Sequence, residues 1–400
     1  MSFLYSFLNF LQPGILWPDI ALIRPMLTAS IIGLIVGLAR SSDYPRKFAF
    51  SSPAFLWMTV FILAQIISVY YGGILAIIEE FSFWNVYPLF VVISVLLMAD
   101  VTSIKRYVWG MMAGGMVIVA YGIYSVLYLG GYIGTGRAGA YGMYENHNDY
   151  SFIIIQILPF LYLYMTSETG LFRRALLGLS ILASVLGMMM SLSRGGMIAL
   201  VVEAFLIVLI TMKGRRRLFL VPVIAVVGAL AVGYQYAKRA ENQSNYTAAD
   251  AEAGRFELWK AGIRMLQANP VLGVGSRRFP EYASQYYDLS NDMRGKVSHN
   301  TLVEIFAGSG FVGFLSFIFF SYYLIRELRR KPLQTGPPSL EVTRVAVFIS
   351  FLSILFRTFL DAKAHDWSIY TLCAIGLACI ALQRQIDLTN EKKADGSRGS

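Results

Sequence analysis

The sequence has 400 residues, of which 56% are apolar and only 14% are charged, whereas about a quarter of the residues in an ordinary soluble domain are charged. This composition, with a mean hydropathy of +0.57, excludes soluble, disordered, collagen-like and zinc-finger classes and predicts a membrane protein. The net charge of +10 fits either nucleic-acid binding or the basic cytoplasmic loops of a membrane protein, so the placement of the charges decides between them.

Eleven apolar runs approach or exceed the roughly 20 residues that a membrane-spanning helix needs. They cover residues 20–39, 53–71, 83–99, 107–128, 149–165, 173–190, 196–212, 218–236, 300–326, 342–360 and 367–383. Each is predicted to be helical, because a backbone in hydrocarbon must satisfy its hydrogen bonds internally and nothing here alternates like a barrel strand. The predicted fold is an all-α, polytopic helical membrane protein with about 11–12 transmembrane helices and one large periplasmic loop.

The start of the chain leaves the number of spans open. Residues 3–11 are too short to span and are followed by Gln12, Pro13 and Gly14. One alternative is a re-entrant or interfacial half-helix; the other is a twelfth span with a cytoplasmic N-terminus, so whether 3–17 spans stays undecided.

The chain is predicted to have four parts. They are an N-terminal transmembrane bundle (1–236), a large periplasmic loop with surface helices (237–299), C-terminal transmembrane helices (300–386) and a disordered cytoplasmic tail (387–400).

Lys and Arg residues in alternate connections orient the spans. Sixteen lie in one set of connections: Arg40, Arg46, Lys47, Lys105, Arg106, Arg173, Arg174, Lys213, Arg215, Arg216, Arg217, Arg326, Arg329, Arg330, Lys331 and Arg344. The opposite short connections hold three, which are Arg137, Arg194 and Lys363. This asymmetry assigns the first set to the cytoplasm. It also argues against nucleic acid as a partner, because the basic residues are spread over separate loops and form no single face.

The connection 237–299 is long, and loops of this length without a function are uncommon. Residues Gly254 to Asn269 are predicted to form a helix that ends before Pro270. Its apolar face would consist of Phe256, Trp259, Ile263 and Leu266 and could lie on the membrane surface. Arg255 is predicted to point toward the membrane or the bundle. Other basic residues of this loop, among them Arg277 and Arg278, suggest an anionic ligand, although long loops also translocate regardless of charge.

The histidine of Ser298-His299-Asn300 lies where this loop meets the span that begins near Asn300. A helix N-terminus disfavours the imidazolium and attracts anions, so His299 is a candidate general base. An ordinary interfacial histidine is the alternative. Glu304, on the same helix face as Asn300, is a candidate supporting residue for the His299 region.

Arg194 lies in the tight turn Ser193-Arg194-Gly195-Gly196 between two spans. A lone arginine there commonly snorkels to the headgroups. The adjacent glycines, however, would let a ligand approach, and arginine suits bidentate phosphate contact. A phosphate role needs a second converging arginine, and Arg255 is the candidate.

A glycine- and tyrosine-rich loop, residues 129–148, runs into the polar stretch His147-Asn148-Asp149 at its end. Aromatic faces with nearby amides and carboxylates suit sugar rings, which makes His147, Asn148 and Asp149 candidate substrate-binding residues. The tyrosines equally suit the aromatic belt at a membrane interface.

Charged residues also occur inside predicted spans. Glu203 could relay protons in a transporter or bond to a neighbouring helix. Arg357 and Asp361, four residues apart, are predicted to pair with each other. The two cysteines, Cys373 and Cys379, share one late apolar run, so neither a disulfide framework nor a cysteine metal site is expected.

These motifs, in this order and topology, resemble those of bacterial O-antigen ligases and polysaccharide polymerase-type membrane proteins. The resembling part runs from Ser191 to about Leu324. It comprises the Ser-Arg-Gly-Gly turn, the stretch from Gly254 to Gly262 (Gly-Arg-Phe-Glu-Leu-Trp-Lys-Ala-Gly), Asn269-Pro270 with Gly273-Val274-Gly275, and Ser298 to Leu302 followed by Gly308, Gly310 and Gly313. Residues 146–149 resemble an upstream family element more loosely.

The resemblance implies a glycosyltransferase of the bacterial inner membrane. Such an enzyme transfers glycan from a polyprenyl-diphosphate carrier to a glycan, lipid or protein acceptor on the periplasmic side. It implies that His299 matches the catalytic histidine and that Arg194 and Arg255 match the arginines that engage the diphosphate, without a metal or cofactor. Ligases and polymerases share these motifs, so both remain open, and a flippase or transporter of charged solutes that uses Glu203 and Arg357 remains a further alternative.

Overall fold

A computed structural model of the chain describes residues 1–17, 19, 21, 24–39, 46–242, 248–330 and 337–398. Helices joined by turns and loops make up this part of the chain, and it contains no β-strand. Nine helical stretches among these residues are long and apolar enough to cross a membrane. The predicted all-α, polytopic helical membrane fold is therefore confirmed.

The helices are numbered here in chain order. They are α1 (Ser2–Leu11), α2 (Pro13–Leu16), α3 (Pro25–Ala39), α4 (Arg46–Phe50), α5 (Pro53–Ile67), α6 (Gly73–Trp84), α7 (Val86–Leu97), α8 (Val101–Tyr128), α9 (His147–Ser167), α10 (Leu171–Ser191), α11 (Arg194–Thr211), α12 (Gly214–Asn242), α13 (Ala248–Ala268), α14 (Phe279–Tyr286), α15 (Thr301–Arg329), α16 (Pro338–Thr358) and α17 (Trp367–Arg398).

The candidate spans follow the predicted apolar runs closely. Eight of the nine each correspond to one predicted span, and the stretch Pro53–Leu97 contains 53–71 and all but the last two residues of 83–99. The first predicted span, 20–39, is represented by α3, which has 15 residues and begins at Pro25, a residue favoured in the first turn of a helix. Positions 20, 22 and 23 of that predicted span lie outside the described residues.

The N-terminal helix α1 packs lengthwise against α8. The Ser2 hydroxyl donates to the carbonyl of Leu97 at 2.8 Å, at the end of α7. The side-chain oxygen of Gln12 accepts from the backbone N–H of Met143 at 3.3 Å, in the loop before α9. Close approach needs Gly110 of α8, where a Cβ would come within 2.3 Å of a carbonyl in α1. Leu97 lies just before α8 and Met143 lies in the connection after it. The segment from Ser2 to Gln12 therefore runs alongside α8 and contacts the connections at both of its ends.

The centre of the bundle is formed by α9 and α17. Nearly all side chains from Tyr150 to Tyr164 are buried, and so are those from Ile369 to Leu382. The thiols of Cys373 and Cys379 are free and buried in this core. Burial on all sides explains why these two helices show no polar face.

The long connection folds into a second, smaller apolar core against α15. Leu258, Ala261 and Met265 of α13 are buried with residues of α14 and α15. Phe256 and Ile263, on the predicted apolar face of this helix, are exposed, and the contact of that face with the membrane surface stays a prediction. A different face of α13 packs on α15, because Gly262 lets the two helices approach closely: a Cβ there would lie 2.6 Å from Val303. The predicted end of the helix before Pro270 agrees with α13.

Glycines let the turn after α13 bond directly to α15. Gly310 has φ +61° and interrupts the helical backbone of α15, a conformation that favours glycine. The N–H groups of Val274 and Gly275 donate to the carbonyls of Ala307 and Gly308, each at 2.9 Å. The N–H of Phe311 donates back to the carbonyl of Pro270 at 2.8 Å. The glycines in the Gly273 to Gly275 and Gly308 to Gly313 motifs therefore hold the long connection against the start of α15.

The C-terminal tail differs from its expected disorder. Residues 387–400 were expected to lack fixed structure, but α17 continues to Arg398. The residues after Asp387 include Glu391, Lys392, Lys393 and Ala394, all good helix formers. Residues 399 and 400 lie outside the described residues.

Candidate active site

Three helix N-termini meet at one end of the bundle. Asn146 caps α9 by accepting from the N–H of Asn148, Ser193 caps α11, and Asn300 caps α15 by accepting from two backbone N–H groups. The Ser193 hydroxyl also bonds to the Asn148 side-chain oxygen at 2.8 Å, which links α9 to α11. Helix N-termini carry partial positive charge and attract anions, so this end of the bundle suits an anionic ligand.

A cavity of about 190 Å³ lies among these termini. It is lined by His147, Asn148, Arg194, Gly195, Arg255, Met293, Lys296, His299, Arg357 and Leu360. Four of these described residues are arginine or lysine, and none carries a carboxylate. The cavity is smaller than the roughly 300–1,000 Å³ of pockets that enclose a drug-sized ligand, so its size suits an anionic group at the junction of a larger molecule.

His299 reaches the cavity from a strained backbone position. Its φ of +53° lies in the left-handed region, which non-glycine residues seldom adopt and which is often retained at functional sites. The preceding residue, Ser298, is held by two hydrogen bonds: the Trp259 indole N–H donates to its carbonyl at 3.0 Å, and its N–H donates to Glu304 at 3.0 Å. Glu304 thus supports the segment before α15, as its spacing from Asn300 suggests.

The ring of His299 contacts a buried carboxylate. Its Nδ1 lies 3.7 Å from Oδ1 of Asp361, which is 7% exposed. Burial alone would raise the pKa of Asp361, but the His299 contact and the charges of Arg357 and Lys363 outweigh burial and hold that pKa below its ordinary range. Asp361 therefore stays ionised and can hold the His299 ring in one orientation.

Arg194 owes its position to a two-residue turn. Leu192, with φ +48°, and Ser193 alone separate α10 from α11. The guanidinium of Arg137 donates to the carbonyls of Ser191 and Leu192 at 3.1 and 2.9 Å and so satisfies the end of α10. Arg194 then begins α11 and points into the cavity.

Arg255 enters the same cavity from α13. It is partly buried and lies one turn before the buried Leu258, on the side of α13 that faces the bundle. The prediction that Arg255 points toward the membrane or bundle agrees with this position.

Arg357 and Asp361 form the predicted i,i+4 pair, with Nη2 and Oδ2 3.5 Å apart. Arg357 is 1% exposed, its Nε and Nη2 atoms lie 3.4 Å from the Ser151 hydroxyl, and its guanidinium lies over the Phe152 ring. The sequence predicted the ion pair, and it gave Arg357 a further role only in the transporter alternative, but in the structure Arg357 lines the cavity. Lys296, a basic residue of the long connection, also lines it. The sequence signal that could have identified Arg357 as a site residue is its position: it is a charged residue at the end of a predicted span, four residues before an acidic one.

Asp149 lies beside the cavity in a salt bridge. Its Oδ1 is 2.6 Å from Nζ of Lys363. Burial alone would lower the pKa of Lys363, but Asp149 and Asp361 raise it above its ordinary value. This pair joins α9 to the loop that carries Asp361.

Arg277 and Arg278 are not among the residues that line the cavity. Arg277 makes bidentate bonds to Glu80, with Nη2 to Oε2 at 2.8 Å, and its guanidinium lies 4.0 Å from the centre of the Phe83 ring. Arg278 pairs with Glu281 at the surface, at 3.1 Å. Their roles as substrate-binding residues stay predictions, and the structure gives Arg277 a part in joining the long connection to α6.

The central part of the chain is similar to a known protein family. A family model described as O-antigen ligase matches residues 179–318. A search of curated proteins finds no match. The matched residues include Arg194, Arg255 and His299, which line one cavity. The resemblance seen in the motifs is thus confirmed over residues 179–318.

Proposed function

We propose that the protein transfers a glycan from a polyprenyl-diphosphate carrier to an acceptor hydroxyl. The observation that carries this proposal is the convergence of His299, Arg194 and Arg255, from three separate segments, on one cavity. A proton acceptor beside a cluster of arginines suits a reaction in which a hydroxyl loses its proton and a diphosphate gains charge.

In the proposed reaction the acceptor hydroxyl oxygen attacks the anomeric carbon of the donor. The new carbon–oxygen bond forms as the bond from that carbon to the diphosphate oxygen breaks, and the hydroxyl proton passes to His299. A single displacement of this kind inverts the anomeric configuration. The contact between Asp361 and Nδ1 of His299 leaves Nε2 as the nitrogen that takes the proton, and the charge of the carboxylate stabilises the imidazolium that forms.

The leaving diphosphate would be held by Arg194 and Arg255, with help from Lys296. Arginine offers two parallel N–H groups to phosphate oxygens. The N-termini of α9 and α11 add partial positive charge at the same place. Because these charges are fixed before the reaction, they stabilise the departing anion with little reorganisation.

The reaction is proposed to take place on the periplasmic face of the bacterial inner membrane. The support is the charge asymmetry of the connections: one set contains sixteen basic residues and the opposite set of short connections contains three. The cavity lies at the end with few basic connections. The apolar helices around it would accept the prenyl tail of the donor within the bilayer.

The test supplies the purified protein with a polyprenyl-diphosphate-linked glycan and various acceptors, and analyses the products by mass spectrometry. A single transfer to a lipid core or protein would identify a ligase, and ladders of glycan on the carrier a polymerase. Inversion at the new linkage is expected in both. An unchanged donor, with every acceptor tried, would overturn the proposal.

A further inference from the structure

One nitrogen of Arg357 has no hydrogen-bond partner among the described residues. Its Nη1 is buried and unbonded, whereas Nε and Nη2 contact Ser151 and Asp361. A buried guanidinium carries a large desolvation cost unless its N–H groups are satisfied. An unsatisfied buried donor therefore points to a ligand or solvent molecule at that position.

The partners that Arg357 does have are distant. Asp361 lies 3.5 Å from Nη2 and also contacts His299, while the Ser151 hydroxyl lies 3.4 Å away. Charge-assisted hydrogen bonds are usually 2.7–2.9 Å long. The existing contacts hold the guanidinium in place without using its full capacity to donate.

Gly195 lies next to Nη1 and has no side chain. A Cβ at Gly195 would lie 3.1 Å from Nη1 and 3.3 Å from Cζ of Arg357. Gly195 is in the first turn of α11 and is not among the residues with positive φ, so its backbone does not require glycine. Because residue 195 is a glycine, no side chain stands between Nη1 of Arg357 and the cavity that both residues line.

We propose that Arg357 is a third arginine of the donor site, and that its Nη1 donates to a phosphate oxygen of the diphosphate next to Gly195. This inference rests on the proposed function and extends it. The matched family segment ends at residue 318, so Arg357 is assigned by its position in the structure. Because Asp361 contacts both Arg357 and His299, one carboxylate orients the phosphate-binding arginine and the proton acceptor together.

The test measures binding of inorganic diphosphate and of farnesyl diphosphate to the purified full-length protein, by calorimetry and by thermal shift. The variants are Arg357→Lys, which keeps the charge but loses the planar N–H pair, and Gly195→Ala, which places a methyl group against Nη1. Arg194→Lys is the reference for a first donor-site arginine. Gly233→Ala is the matched control, because a Cβ there meets nothing within 4 Å.

We expect Arg357→Lys and Gly195→Ala each to weaken diphosphate binding about tenfold or more, with Gly233→Ala unchanged. If Arg357→Lys does not fold, Gly195→Ala decides, since alanine is favoured over glycine in a helix. A different outcome is that Arg194→Lys weakens diphosphate binding while Gly195→Ala, or a folded Arg357→Lys, keeps the wild-type affinity. That result would overturn the assignment of Arg357 but leave the proposed function standing. A wild-type protein that neither binds diphosphate nor transfers glycan would overturn the proposed function itself.

A membrane phospholipid headgroup could offer similar phosphate chemistry. Micelles that contain phosphatidylglycerol therefore serve as a competitor in the same assay. We expect them to leave farnesyl diphosphate bound. Displacement by phosphatidylglycerol at equal concentration would assign Arg357 to a lipid headgroup and overturn the donor-site proposal.

Discussion

Nδ1 of His299 lies 3.7 Å from Oδ1 of Asp361, and this contact joins the segment before α15 to the loop after α16. The carboxylate is buried, and the Thr301 hydroxyl donates to the Asp361 backbone carbonyl at 2.8 Å. The carboxylate is thus held in one place against the ring.

His299→Ala is expected to lower the rate of glycan transfer about 100- to 10,000-fold, the usual contribution of a general base. Initial rates with a lipid-linked donor provide the measurement. His365→Gln is the matched control, because His365 is not among the residues that line the cavity and should leave the rate within about threefold. A near-normal rate in His299→Ala would remove the proposed base.

Asp361→Asn keeps the shape of the side chain and removes its charge, so it is expected to lower kcat at least about tenfold through His299. The informative measurement is a double-mutant cycle, because residues that act as one unit are not additive. In a His299→Ala background, Asp361→Asn should cost clearly less than in the wild-type background, with the remaining loss arising from its contact with Arg357. A full tenfold loss in that background would show that Asp361 acts independently of His299.

Arg255→Lys is expected to reduce kcat/KM for the donor about tenfold or more, because lysine cannot make the planar bidentate contact with phosphate. Arg264→Lys is the control on the same helix, since Arg264 is exposed and lies over the Tyr287 ring. Steady-state kinetics with varied donor concentration separate the two variants. Equal kinetics in Arg255→Lys and wild type would contradict the diphosphate role.

Gly310→Ala is expected to destabilise the protein by more than about 1 kcal/mol. The residue has φ +61°, and a Cβ would lie 2.3 Å from the carbonyl oxygen of Val271, so both the backbone and the packing oppose a side chain. The thermal unfolding midpoint in detergent checks this against Gly233→Ala. If both variants unfold at the wild-type temperature, the break in α15 does not hold the long connection in place.

Stability is expected to fall as the pH decreases from about 6.5 toward 4 because of His365. Burial and the charges of Lys363 and Arg277 lower the pKa of His365 to about 4, whereas an unfolded histidine titrates near 6.5. In this window the unfolded chain binds the proton and the folded chain does not, so each pH unit costs at most about 1.4 kcal/mol. Unfolding midpoints at pH 7.5 and pH 5 should differ less in His365→Gln than in wild type. An equal difference would assign the pH dependence to other groups.

Glu203→Gln distinguishes a transferase from a transporter of charged solutes. Glu203 is fully buried in α11, and it is not among the residues that line the cavity. A transferase should therefore keep most of its activity in this variant. Solute uptake into proteoliposomes that depends on Glu203 would favour transport instead.

The local sequence was sufficient to predict the helices and several of their ends. Apolar runs the length of a bilayer specify helices because the backbone has no other way to satisfy its hydrogen bonds in hydrocarbon. Turn signals, such as Asn300 before α15 and Pro270 after α13, mark where helices begin and end because their effects act within a few residues. His299, Arg194 and Arg255 were identified from such local signals together with the family resemblance.

The convergence of distant segments depended on the tertiary structure. Residue hydrophobicity predicted an apolar face of α13 with Phe256 and Ile263, but it did not show that α15 packs against a different side of the helix, at Leu258, Ala261 and Met265. Arg357 could be paired with Asp361 from their spacing, but its unbonded Nη1 beside Gly195 depends on how α11 and α16 pack. Local patterns therefore predicted the membrane helices and the residues capable of chemistry. Which of those residues share a cavity could be seen only in the packed structure, since it depends on contacts between segments that are distant in the chain.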